Sequence, residues 1–203
     1  MSVTIYVEGG GTRDMDNRCR AGFREALRNV VYCAGRPKIV ACGPRGKAFD
    51  RFQTHLKSGS ADIAILLVDA ETVVQSDANA IDPWLHVRES SGDKWDRPAG
   101  ASGEHLHFMA VCMETWLVAA PETLAAFFGQ GFKTQKLPQT TELERVEKPR
   151  LFQALADATR ETTSGAYAKG RVSFALLERI DLVKVADRLP FCKRFIAALS
   201  TPE

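Results

Sequence analysis

Two apolar runs in the chain each end abruptly in acidic residues. Residues 3–7 (VTIYV) lead directly into Glu8. Residues 63–68 (IAILLV) lead directly into Asp69 and, two positions further on, Glu71. A short apolar run that ends in charge is typical of a central strand in a parallel sheet. Because open α/β sheets bind their ligands at the carboxyl ends of the strands, both acidic ends are candidates for one site.

The residues between the two runs predict a strand–helix–strand–helix–strand unit, which implies a parallel sheet. Asp14 or Asp16 is placed to cap the first helix, whose apolar positions recur at helical spacing. Gly35 and Pro37 then interrupt the pattern before the next strand. After the first strand, the predicted elements are a helix over residues 19–31, a strand over 38–42, a helix over 49–56 and a strand over 61–68.

The second half of the chain has longer polar segments. Residues 75–104 are rich in Ser, Asp, Asn, Gly and Pro, carry Trp84 and Trp95, and predict one helical turn near Pro83. Loops of this length are usually functional or mobile. Further on, the pattern predicts a strand over 105–113, a helix over 114–128, a polar segment over 133–148 and mainly helix from 149.

We therefore predict an α/β fold with a parallel-sheet core and helices on both faces. The core is expected in residues 1–128, and a helical C-terminal extension that packs on it is expected in residues 129–203. The chain of 203 residues is 45% hydrophobic, which suffices for one such domain with an appendage.

Composition bounds the function only loosely. The formal net charge of +2 neither requires nor excludes a polyanionic partner, so nucleic-acid binding would depend on local basic clusters. The five cysteines form no C-x-x-C pair, and we expect them to be reduced, buried and apolar in character. No signal-peptide pattern and no apolar run of membrane-spanning length is present, so a cytoplasmic protein without membrane contact is expected.

The acidic residues at the predicted strand ends favour a metal site. Like charges gathered at one point repel unless a cation lies between them, and oxygen ligands suit Mg²⁺ or Mn²⁺. Glu8, Asp69 and Glu71 are the candidate ligands, and Glu114, where a strand meets a helix, is a fourth catalytic candidate. An acidic helix start remains the alternative for Asp69, Glu71 and Glu114, because carboxylates are common there.

Several other motifs carry weaker signals. The loop at residues 9–12 (GGGT) lies between a strand and a helix, a context that suits phosphate, but taken alone the glycines favour a tight turn. His105 and His107 alternate along a strand, but no third soft ligand is spaced to complete a zinc site. Asp93 and Asp96 are expected to be solvated.

A basic segment near the C-terminus is the candidate contact for nucleic-acid phosphates. Lys169 and Arg171 supply two cations and Ser173 supplies a hydroxyl within five residues. The alternative is a solvated helix start. Because a carboxylate cluster repels a polyanion, we expect the C-terminal helices to fold back and to bring this segment to the acidic residues.

The two acidic motifs resemble those of the Toprim domain, which topoisomerases, bacterial primases and the overcoming-lysogenization-defect nucleases share. That domain has a glutamate after its first strand and Asp-x-Asp after a later one, where this chain has Glu8 and Asp69-x-Glu71. The chain is also similar to the bacterial family catalogued as domain of unknown function 4276, regarded as Toprim-like. The segments that carry this second resemblance are residues 39–43, 66–71, 112–116, 127–132, 169–171 and 173–174.

These resemblances imply a metal-dependent phosphodiesterase, expected to be a nuclease that acts on DNA or RNA. Asp69 and Glu71 would hold Mg²⁺, Glu8 would bind a second ion or transfer a proton, and Glu114 would complete the shell. They also imply an ATPase partner and a role in phage defence. The alternatives are a non-catalytic binding subunit that kept the shape alone, and a small-molecule phosphohydrolase whose 75–104 loop closes the site.

Overall fold

A parallel sheet forms the centre of the molecule. The computed structural model describes residues 2–89 and 92–200, so residues 90 and 91 of the long polar segment lie outside the described part, as do residues 1 and 201–203. Within the described residues the four strands are all parallel, in the order β2-β1-β3-β4, which confirms the predicted α/β class. The strands are β1 (Val3–Val7), β2 (Lys38–Ala41), β3 (Ile63–Asp69) and β4 (Leu106–Met109).

Helices connect the strands and make up most of the chain after β4. Three short 3-10 helices accompany them, at Gly103–His105, Thr134–Lys136 and Leu143–Arg145. None of the helices in the described part of the chain combines the length and apolar character that crossing a membrane requires. The α-helices there are α1 (Arg13–Ala26), α2 (Arg45–Lys57), α3 (Pro83–Glu89), α4 (Met113–Val118), α5 (Pro121–Phe128), α6 (Lys148–Thr159), α7 (Arg171–Leu177), α8 (Leu182–Ala186) and α9 (Pro190–Ser200).

Alternating side chains of the central strands pack into two separate cores, because successive residues of a strand face opposite sides of the sheet. Ile5 and Leu67 pack against α1 and the C-terminal helices. Leu66 packs on the other face with Phe52 of α2 and Trp84 of α3. The sheet is therefore covered on both faces, as predicted.

The first helix differs from the prediction at both ends. Thr12, rather than Asp14 or Asp16, is the N-cap, and its hydroxyl accepts a hydrogen bond from the Met15 amide at 3.3 Å. The Asp16 carboxylate instead accepts from the Gly11 amide at 2.8 Å. The helix ends at Ala26, so the apolar residues up to position 31 continue beyond it as turn and coil.

The predicted helix over 114–128 is two helices. α4 ends at Val118, and Pro121 begins α5, where its missing amide hydrogen costs nothing. The strand predicted over 105–113 is shorter, because β4 ends at Met109 and α4 already begins at Met113. Around Pro83 the chain forms α3, about two turns rather than one.

The C-terminal helices share a hydrophobic core with the sheet. Trp116 of α4 stacks on Phe195 of α9 with ring centroids 6.2 Å apart, and both side chains are fully buried. Gly22 of α1 permits close approach of α7, since a Cβ at this position would lie 3.1 Å from Leu177. Four cysteines are buried as expected, whereas Cys33 is exposed, which corrects the prediction for that residue.

Glu144, in the 3-10 helix Leu143–Arg145, has a buried carboxylate that contacts the start of α9, and it gives a pH-dependent prediction. It accepts a hydrogen bond from the Phe191 amide at 2.9 Å, yet burial raises its pKa from about 4.5 to about 7. The folded state thus disfavours the charged form of Glu144. The stability of the wild-type protein relative to Glu144→Gln is therefore greatest below pH 4.5 and falls as pH rises to about 7. The expected fall is on the order of 3 kcal/mol.

Urea unfolding of both proteins between pH 4 and pH 8 measures this difference. Glu178→Gln, at an exposed glutamate, serves as the matched control and is expected to show no such trend. A constant difference between wild type and Glu144→Gln across this range would contradict the prediction.

Candidate metal centre

The register of β1 and β3 brings the two predicted acidic strand ends together. Val7 pairs with Leu67, and the Glu8 amide donates to the Leu67 carbonyl at 3.1 Å. The Glu8 carboxylate in turn accepts from the Asp69 amide at 3.2 Å. One carboxylate oxygen from each of Glu8, Asp69 and Glu71 lies within 4.8 Å of the other two. The prediction that Glu8 and Asp69 lie on neighbouring parallel strands and face one cleft is therefore confirmed.

Glu71 is held in an unusual backbone conformation. Its φ angle is 66°, in the left-handed region that side chains other than glycine rarely adopt, at a cost on the order of 1 kcal/mol. Its amide donates to the Val111 carbonyl at 3.0 Å, which anchors the turn after β3. Strain of this kind concentrates at functional sites, where the surrounding structure maintains it.

Three cations neutralise these carboxylates. Lys169 was expected at the cluster from the sequence, whereas Lys148 and Arg45 were not. The Lys148 ammonium lies 2.8 Å from Glu71 and 3.3 Å from Asp69, and so bridges them. Lys169 lies 3.9 Å from Asp69. The buried Arg45 lies 3.7 Å from Glu8 and also donates to the Asp69 carbonyl.

Burial and mutual repulsion shift the protonation of the cluster. Burial, with the Glu8 charge as the next cause, raises the pKa of Asp69 to about 7. Burial also raises the pKa of Glu8, although Arg45 opposes this shift. Burial alone would lower the pKa of Lys148, but the carboxylates of Asp69 and Glu71 outweigh it and raise that pKa. Lys148 is therefore a firmly charged partner of the two acids.

The donor set fits a hard divalent cation. Three carboxylates within 4.8 Å offer oxygen ligands alone, which is the chemistry that Mg²⁺ and Mn²⁺ prefer. The Lys148 ammonium already satisfies two of them, so an ion that binds all three must compete with this side chain. Among the described residues this is the only group of three or more potential ligands at such distances.

Glu114 lies close to the cluster but is directed elsewhere. Its side chain is fully buried, and it contributes to the raised pKa of Asp69 by its charge. The Tyr167 hydroxyl donates to Glu114 Oε1 at 3.0 Å and is joined to the Ser173 hydroxyl at 2.7 Å. Ser173 in turn accepts from the Gly170 amide at 3.1 Å. Glu114 thus anchors the segment that carries Lys169.

The predicted basic segment divides into two parts. Lys169 reaches the acidic cleft, which confirms the expected position of this residue. Arg171 lies 3.2 Å from Asp14 on α1 and has a side chain that is 71% exposed. Ser173 is 1% exposed, and its hydroxyl is engaged with Tyr167 and Gly170.

Two amides of the glycine loop after β1 are engaged within the protein. The Gly9 amide donates to the Gly43 carbonyl at 2.9 Å, and the Gly43 amide donates back to Gly9 at 2.7 Å. The Gly11 amide is taken by Asp16. The glycines are needed for space and conformation, since a Cβ at Gly10 (φ 91°) would meet Asp16. These contacts and conformations support the turn interpretation of this loop.

The histidines predicted as weak zinc candidates have structural partners. His107 is fully buried, donates from Nε2 to the Glu104 carbonyl, and accepts at Nδ1 from Arg194. Burial lowers its pKa to about 3, so the ring is neutral. His105 Nδ1 accepts from the Ser102 amide at 2.9 Å.

The long polar segment packs on α2 through ion-pair and aromatic contacts. Asp93, expected to be solvated, pairs with Arg45, which corrects that expectation. Trp95 stacks on Phe49 with ring centroids 4.3 Å apart, and the Arg45 guanidinium lies 4.8 Å from the Trp95 ring. The segment therefore fixes the position of the arginine that faces Glu8.

Comparison with known proteins gives a family but no characterised relative. A family model described as "Domain of unknown function (DUF4276)" matches residues 7–200, which is almost the whole chain. No curated protein and no solved structure matches the chain.

Proposed function

The chain belongs to the DUF4276 family, and we propose that it is a metal-dependent phosphodiesterase, a nuclease that acts on DNA or RNA. The observation that carries the proposal is the group of three carboxylates at the ends of β1 and β3, within 4.8 Å of one another. We further propose that the sheet is Toprim-like. The glutamate after β1 and the Asp69-x-Glu71 pair after the neighbouring parallel strand support this assignment.

In this proposal the carboxylates hold the ion and the lysines face the phosphate. Glu8, Asp69 and Glu71 would hold Mg²⁺ or Mn²⁺, and such an ion would supply Lewis-acid activation of water and stabilisation of the leaving oxygen. Lys169, exposed at the rim, is placed to contact a backbone phosphate. Lys148, which bridges Asp69 and Glu71, would be available to the same phosphate if an ion neutralised these two carboxylates.

A second candidate function, a non-catalytic binding subunit, is favoured by the charge balance of the cleft. Arg45, Lys148 and Lys169 already neutralise the three carboxylates without an added ion. The family resemblance adds an ATPase partner and a role in phage defence to either proposal. A closed site for small molecules has less support, because no described residue of the 75–104 segment lines the cavity that Glu8 and Asp69 border, and only Gln75 of that segment lines the cavity beside Glu71.

Cleavage assays on single- and double-stranded DNA and RNA test the proposal. The purified chain is expected to cleave at least one of these substrates with Mg²⁺ or Mn²⁺, and EDTA is expected to abolish cleavage. Absence of cleavage with both ions, combined with no metal-dependent rise in melting temperature, would favour the binding subunit.

Lys169→Ala is expected to weaken nucleic-acid binding and to reduce its salt dependence. One lost phosphate contact lowers the slope of log K against log salt by about 1. Arg171→Ala removes the same charge at a residue paired with Asp14 and is expected to change the slope less. Affinities measured by fluorescence anisotropy at several salt concentrations provide the slopes. Equal slopes for Lys169→Ala and wild type would contradict the phosphate contact.

A further inference from the structure

A cavity of about 490 Å³ opens beside the acidic cluster. We call it the glycine-loop cavity, because the loops after β1 and β2 form one of its walls. Glu8 and Asp69 border it, so a ligand in this cavity lies against the proposed metal ligands. These loops contribute Gly9, Gly10, Gly11, Gly43 and Pro44 to its lining.

Part of the cavity lining is apolar and polarisable. Met15 of α1, Met109 of β4, Met113 of α4 and Phe174 of α7 all contribute to it. Met113 and Phe174 are each almost fully buried and come from separate elements of the fold. Thioether and aromatic groups make favourable contacts with flat, unsaturated rings. This lining therefore suits a planar aromatic ligand group.

The cations of the cavity are side chains at its rim. Lys47, in the first turn of α2, is exposed and has no ion-pair partner among the described residues. Lys169 is 54% exposed and lies 3.9 Å from Asp69. The Gly9, Gly11 and Gly43 amides are already used within the protein, so these two lysines are the charged groups that the cavity offers to an anion.

We infer that the glycine-loop cavity takes one unpaired nucleotide of a nucleic-acid strand, with its base on the methionine–phenylalanine surface and its phosphate at Lys47 and Lys169. The volume is in the range of single small-molecule sites. A base within a duplex has both faces covered by its neighbours and must leave the stack to reach such a surface. The inference rests on the proposed function and defines its substrate class as single-stranded or unpaired nucleic acid.

Binding in EDTA tests the inference without any need for cleavage. The probes are a fluorescein-labelled oligothymidylate and the same strand annealed to oligoadenylate. The wild-type protein is expected to bind the single strand about tenfold more tightly than the duplex, a difference of about 1.4 kcal/mol. Met15→Glu, which places a negative charge in the apolar lining, and Lys47→Ala are each expected to weaken single-strand binding several-fold.

Two control variants match the charge changes outside the cavity. Arg24→Ala, on the exposed side of α1, also makes the protein more negative by one charge. Lys57→Ala removes a lysine from the other end of α2. Both are expected to bind the single strand as wild type does. Equal affinity for single strand and duplex, no detectable single-strand binding, or the same losses in the controls would overturn the inference.

The outcome separates this inference from the proposed function. Tight single-strand binding without cleavage in Mg²⁺ or Mn²⁺ supports the cavity assignment and contradicts the phosphodiesterase. Metal-dependent cleavage of an intact duplex as fast as of the single strand supports the phosphodiesterase and contradicts the unpaired-nucleotide site.

Discussion

Lys148→Met is expected to lower the melting temperature of the metal-free protein and to strengthen its binding of Mn²⁺. The substitution leaves Glu8, Asp69 and Glu71 with one cation fewer while it keeps a long side chain at the start of α6. Loss of a partner from a buried ion pair costs roughly 3–5 kcal/mol, and we expect about 1–3 because the Lys148 side chain is 23% exposed. In a protein of this size that corresponds to a fall of roughly 2–12 °C.

The gain in metal affinity follows from the same contacts. In the wild-type protein, an ion that binds Asp69 and Glu71 must displace the Lys148 ammonium from both carboxylates. In Lys148→Met there is no ammonium to displace. We expect Mn²⁺ to bind about tenfold more tightly, equivalent to about 1.4 kcal/mol. Calorimetric titration gives the affinity directly, and the melting temperature measured against Mn²⁺ concentration gives it independently.

Arg150→Met is the matched control, because it removes an exposed cation from the same helix. It is expected to leave both the melting temperature and the Mn²⁺ affinity close to wild type. Unchanged values in Lys148→Met as well would show that this lysine does not neutralise the cluster.

Asp69→Asn is expected to reduce metal-dependent cleavage by at least about 100-fold, a loss of roughly 3 kcal/mol in transition-state stabilisation. The amide removes a charged ligand from the centre of the cluster, yet its oxygen still accepts the hydrogen bond from the Met113 amide. We expect the free energy of unfolding to stay unchanged or to rise, because the substitution removes a buried charge from a repelling group.

The pH dependence of stability gives a second check on Asp69. Its folded-state pKa of about 7 exceeds its usual value of 3.8, so the contribution of Asp69 to stability is greatest below pH 3.8 and falls as pH rises to about 7. The stability of Asp69→Asn relative to wild type should therefore increase over that range. Asp50→Asn, on an exposed face of α2, is the control for both measurements. Full cleavage activity in Asp69→Asn would show that the assigned site is wrong.

Local pattern was sufficient to predict the sheet and two of its acidic strand ends. Continuous apolar runs of strand length are typical of strands in a sheet covered on both faces, and parallel strands place their carboxyl ends at one edge. Glu8 and Asp69 could therefore be assigned to one cleft before the structure was known. The helix boundaries were less well predicted, because Thr12 competes with Asp14 and Asp16 as N-cap and Pro121 divides a continuous apolar pattern.

The amino-acid sequence by itself determined the parallel α/β core and the meeting of Glu8 with Asp69, because both follow from short-range periodicity and chain direction. Only the tertiary structure decided which cations neutralise these acids. Lys148 is separated from Asp69 by 79 residues, and no local pattern distinguishes it from a solvated lysine. The tertiary structure likewise directed Glu114 to Tyr167 rather than to the cleft. Contacts of this kind depend on how distant helices pack, and packing is a property of the whole core rather than of any segment.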